Sequence, residues 1–108
     1  MARETLDRVL ERVEASRSIS DKDRAELRQL LAELKQELDG TGDSDDARTL
    51  AGFTEVSTTA ATAEQRDENA LRIATDGMRA SVGRFEQRHP KLVDLINQIA
   101  TALSRMGI

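Results

Sequence analysis

A chain of 108 residues has room for one core. With 38% hydrophobic but only 2% aromatic residues, that core must come from Leu, Ile, Val, Met and Ala, which suits helix-on-helix packing better than a sheet. The lack of cysteine excludes disulfides, thiolate metal sites and thiol nucleophiles, and a net charge of −4 argues against a general binder of polyanions.

The first helix is expected from about Ala2 to Arg17, with Leu6, Val9, Leu10 and Val13 on one face and charge on the other. Ser20 is placed to cap a second helix, with Asp21 and Asp23 near the positive end of its dipole. That helix carries Leu27, Leu30, Leu31, Leu34 and Leu38 on one face and ends near Asp39, where Gly40 suits a left-handed residue. Residues 1–39 therefore read as an N-terminal helical hairpin.

The composition changes at Gly40. Residues 40–46 are small, polar and acidic, and Thr58, Thr59 and Thr62 follow in a stretch of weak helix propensity. Residues 40–62 accordingly read as a flexible linker, with a short helix near 47–57 suggested by Leu50, Phe53 and Val56 at spacing 3. Thr62 followed by Gln65 fits a capping box, so a third helix is expected from Ala63 to Arg88, with Gly77 and Gly83 inside it.

Pro90 fits the first turn of a fourth helix. Along it Leu92, Ile96, Ile99, Leu103 and Met106 step by 4, 3, 4 and 3 residues on one face, and Gly107 closes it. Residues 63–108 thus form a second hairpin within the same domain, and its apolar stripe needs cover. The fold expected is all-α: two antiparallel hairpins forming a four-helix bundle or coiled-coil-like assembly, with a flexible acidic, Thr-rich linker. The same stripes are buried in a bundle of one chain or in an intertwined homodimer.

Little in the chain invites catalysis. His89 is the single histidine, and no second histidine or carboxylate pair at ligand spacing accompanies it. Asp43, Asp45 and Asp46 resemble an acidic metal loop. With Asp43 as position 1, however, the glycine and glutamate places of an EF-hand hold Arg48 and Thr54. No phosphate loop or nucleophile motif is present. The expectation is a protein that is not an enzyme and has no catalytic, cofactor-binding or metal residues.

Two surface features suggest binding. Ala70, Ala74, Gly77 and Ser81 form a stripe of small residues on the third helix, where another helix backbone can approach closely; ordinary packing inside the bundle is the commoner cause, a docking groove for a partner helix or second subunit the alternative. Arg84, Arg88 and Lys91 gather at the C-terminal hairpin turn and offer contacts to phosphates. The acidic total and the lack of aromatic stacking residues weigh against nucleic acid.

The segment from Arg84 through Phe85, His89, Pro90 and Leu92, with its Phe-Glu-x-x-His-Pro-x-Leu turn and terminal Met106-Gly107-Ile108, resembles a family of short uncharacterised bacterial proteins. That resemblance implies a bacterial α-helical protein with no assigned activity, and it transfers no site residues. The charged N-terminus lacks the apolar run of a signal peptide, and no stretch approaches the roughly 20 apolar residues that cross a bilayer. A cytoplasmic interaction module is expected, partnered by itself or by another helical protein, with nucleic-acid association as the alternative and no role at a membrane.

Overall fold

The computed structural model describes residues 2–42, 44–85 and 88–106. Five helices follow one another: α1 (Ala2–Ala15), α2 (Asp21–Asp39), α3 (Asp45–Thr62), α4 (Glu68–Val82) and α5 (Pro90–Arg105). A 3-10 turn, Gly83–Phe85, lies between the last two.

The ends of α1 and α2 follow from local chemistry. The Ser20 hydroxyl accepts from the Asp23 amide at 3.1 Å, the cap expected of it. Arg24 ties down the turn before it, donating to Ser16 O at 2.5 Å and to Asp21 at 2.6 Å. At the other end Gly40 stays right-handed, with φ −70, because the chain continues to coil. The Thr41 amide and hydroxyl both donate to Leu38 O, at 3.0 and 2.8 Å. The left-handed residue is Gly42, with φ 84.

The largest departure from expectation is α3. Residues 45–62 form an 18-residue helix where the sequence suggested a linker with a short helix near 47–57. Its start is ordinary: the Ser44 hydroxyl accepts from the Ala47 amide at 3.1 Å, and Asp45 and Asp46 favour the N-terminal end of the dipole. Its Thr-rich half is helical because α1 and α4 pack against it, and its buried hydroxyls find partners within the helix. Thr54, Ser57 and Thr62 donate to the carbonyls of Leu50, Phe53 and Thr58 at 2.8, 2.8 and 2.7 Å. Each bond to the carbonyl four residues earlier lets a small polar side chain be buried without loss of a partner.

Thr58 is the exception. It is fully buried and its hydroxyl has no partner among the described residues. Replacing it by the near-isosteric valine removes that unsatisfied group, so Thr58→Val is expected to stabilise the fold by about 1 kcal/mol. Chemical denaturation of the two proteins checks this, with a higher midpoint expected for the variant.

The extension of α3 displaces the next helix. Thr62 closes α3 instead of capping α4, and the cap passes to Asp67, whose carboxylate accepts from the Ala70 amide at 3.0 Å. Helix α4 therefore begins at Glu68, not Ala63, and ends at Val82, before the expected Arg88. Past the 3-10 turn, Phe85 O accepts from the Arg88 and His89 amides at 3.1 and 2.8 Å. Pro90 then opens α5 as expected.

Ion pairs report the packing directions. Glu14–Arg28 and Asp7–Lys35 set α1 antiparallel to α2, and Glu26–Arg105 with Glu37–Lys91 set α2 antiparallel to α5. Arg8–Glu55 and the Ser16 hydroxyl on Thr62 O run α1 parallel to α3. Asp46–Arg84 runs α3 antiparallel to α4. These pairs are largely exposed, so they mark register more than they stabilise it. The helices close a ring in the spatial order α1, α2, α5, α4, α3.

Inside the ring Leu6, Leu27, Leu31, Leu34, Leu50, Met78, Ile96 and Ile99 are fully buried. The fold is all-α, and the cover that the C-terminal hairpin needs comes from α2 and α3 of the same chain. Arg66 locks the assembly by donating to Leu103 O and Ser104 O, at 2.8 and 2.9 Å, which satisfies carbonyls at the end of α5.

Candidate docking face

The small-residue stripe is occupied. Ala74 and Ser81 are buried, and Gly77 lies under the Phe53 ring of α3, so close that a Cβ at this position would stand 2.4 Å from a ring carbon. Ala70 lines a surface cleft beside α3. The helix that the stripe admits is the chain's own α3. This is the ordinary packing inside the bundle that such a stripe also allows, and the helix that fills it is the one suggested near 47–57.

The basic cluster is partly neutralised. Arg84 stands 3.7 Å from Asp46 and Lys91 3.5 Å from Glu37, while Arg88 is exposed. His89 packs its ring edge-on to Phe85, with centroids 6.2 Å apart, and makes no side-chain cap bond. Among the described residues no group of three or more His, Asp or Glu is placed to hold a metal ion. Asp45 pairs with Arg48 at 2.7 Å, and Asp43 lies outside the described residues. The Glu14 carboxyl is held below its ordinary range by hydrogen bonds from the Arg28 guanidinium, in an exposed pair that joins α1 to α2.

What remains open is apolar surface on α3 and α4. Val56 and Ile73, 52% and 60% exposed, are the large hydrophobic side chains left in solvent among the described residues. Val56 borders a cleft of about 540 Å³ whose apolar wall is completed by Ala60, Ala63 and Ala70, with Arg12 and Asp67 among the polar residues around it. A more polar cleft of about 460 Å³ adjoins it, sharing Arg12 and Glu55. Ile73 was legible as an outlier, since it falls off the Leu71, Met78, Val82 face of its helix. Val56 was not, because its exposure depends on how α3 is turned.

A family model described as Domain of unknown function (DUF4404) matches residues 27–108. The chain belongs to this family. The match begins within α2 and takes in α3, α4 and α5. The Val56 and Ile73 face therefore lies wholly inside the DUF4404 segment, whereas Arg12 comes from α1, outside it. Of the turn and terminal motif noted in the sequence, Glu86, Gln87, Gly107 and Ile108 lie outside the described residues. No curated protein and no solved structure matches the chain.

Proposed function

We propose that this DUF4404 protein is a non-enzymatic helical interaction module that docks a protein partner on the α3–α4 face. The observation that carries the reading is the exposure of Val56 and Ile73 on two packed helices, in a molecule whose other large apolar side chains are buried or half-buried among the described residues. Val56 lines the cleft, and an apolar cleft with a few polar groups around it is the form that binding surfaces commonly take.

The ionisable groups support the non-enzymatic part. Asp67 caps a helix, and Asp45, Asp46, Glu26 and Glu37 face cations across the surface. Two of the three residues in the basic cluster face carboxylates, which weakens the nucleic-acid alternative. The proposed setting is a bacterial cytoplasm, on the strength of the Phe85–Leu92 resemblance. Among the described residues no helix is long and apolar enough to cross a membrane.

The test places a photo-crosslinking amino acid at Thr59, beside the cleft, in the full chain expressed in bacteria. A discrete protein adduct is expected, and the folded double variant Val56→Asp, Ile73→Asp should lose it. An adduct that persists unchanged in that variant sinks the docking face.

A further inference from the structure

We infer that the occupant of the α3–α4 face is a second copy of this chain, related by a two-fold axis that runs along α3. The inference rests on the docking face proposed above and names its partner. Its basis is the placement of two opposite charges that the single chain leaves apart.

Arg12 and Asp67 line the same cleft from opposite sides of α3. Arg12 belongs to α1 and Asp67 caps α4, and both helices pack against α3. The two residues also stand at one height along α3. Arg8 pairs with Glu55, and Ser16 donates to Thr62 O, so Arg12 lies about level with Thr59. The Asp67 amide donates to Ala60 O at 3.4 Å. Neither side chain has an ion-pair partner among the described residues, and both are exposed. The Asp67 carboxylate is engaged by the Ala70 amide.

A two-fold axis along α3 exchanges the two sides of the cleft and keeps the height. It therefore sets Arg12 of each copy opposite Asp67 of the other, with the Val56 and Ala63 surfaces between them. An isologous interface must be self-complementary in this way. A chain of net charge −4 repels its own copies at a distance, so a local meeting of opposite charges is what fixes partner and register.

Sedimentation equilibrium on the full chain tests the geometry. The wild type is expected to reach twice the chain mass. Arg12→Gln and Asp67→Asn each remove both symmetry-related pairs and should weaken association by about tenfold, the sum expected of two exposed ion pairs. Asparagine keeps the side-chain oxygen that caps α4. Arg12→Glu, which sets like charges against each other at both symmetry-related pairs and leaves the α4 cap intact, should weaken association further than Arg12→Gln does.

Because the chain has no cysteine, Thr59→Cys adds a unique thiol near the axis, and mild oxidation should link two copies through it. Ser104→Cys, on exposed α5 surface, should not crosslink. A mass of one chain at every concentration, or equal crosslinking of both variants, overturns the second-copy assignment. If a foreign protein is then captured at Thr59 in cells and lost in the Val56→Asp, Ile73→Asp variant, the docking face stands with a different occupant. Loss of both signals removes both readings.

Discussion

Leu50→Ala is expected to destabilise the protein by about 3 kcal/mol, within the range for emptying a fully buried leucine site. In a chain of 108 residues this lowers Tm by more than about 10 °C. Leu50 is 0% exposed within α3, so the lost methyl groups leave a cavity among packed side chains. Were residues 40–62 a flexible tether, the same substitution would be silent, because an exposed leucine contributes almost nothing to stability. Thermal unfolding followed by circular dichroism separates the two outcomes. An unchanged Tm would mean that α3 is not part of the core.

Gly77→Leu is expected to cost about 2 kcal/mol, through a mechanism that a second substitution can expose. The new side chain must displace the Phe53 ring, since even its Cβ would come within 2.4 to 2.8 Å of three ring carbons. Phe53 is half-buried, so the ring can swing outward, and the cost is its lost burial plus strain. Replacing a helical glycine recovers about 1 kcal/mol of propensity, so the net loss stays moderate. In a Phe53→Ala background the obstacle is gone, and Gly77→Leu should become neutral or stabilising. A double-mutant cycle from denaturant midpoints should then show coupling of about 2 kcal/mol between sites 53 and 77. Additive effects would show that Gly77 is not held open by Phe53.

Both predictions turn on α3, where reading the sequence and seeing the structure part company. Leu50, Phe53 and Val56 at spacing 3 suggested a helix only to about residue 57, and Thr58, Thr59 and Thr62 beyond it lower helix propensity in isolation. In the folded chain the hydroxyls of Thr54, Ser57 and Thr62 bond to their own helix, while α1 and α4 cover it from either side. Small residues that look like loop composition are what allow close packing on both flanks. The same error moved the start of α4, since Thr62 was read as opening a helix that it does not join.

The all-helical class, the α1–α2 hairpin, the Ser20 cap, the Pro90 start and the leucine faces that fill the core were all legible in the chain. These rest on periodicity and on caps, which involve residues a few places apart and can be read locally. Packing between distant helices settled the rest: that the helix suggested near 47–57 runs on through Thr62, that Phe53 covers Gly77, and that Val56 and Ile73 remain in solvent. It also brought Arg12 and Asp67 to one height on either side of α3. Each of these depends on how helices distant in sequence are turned against one another. That rotation is chosen by burial summed over the whole ring, and no local window of residues contains the sum.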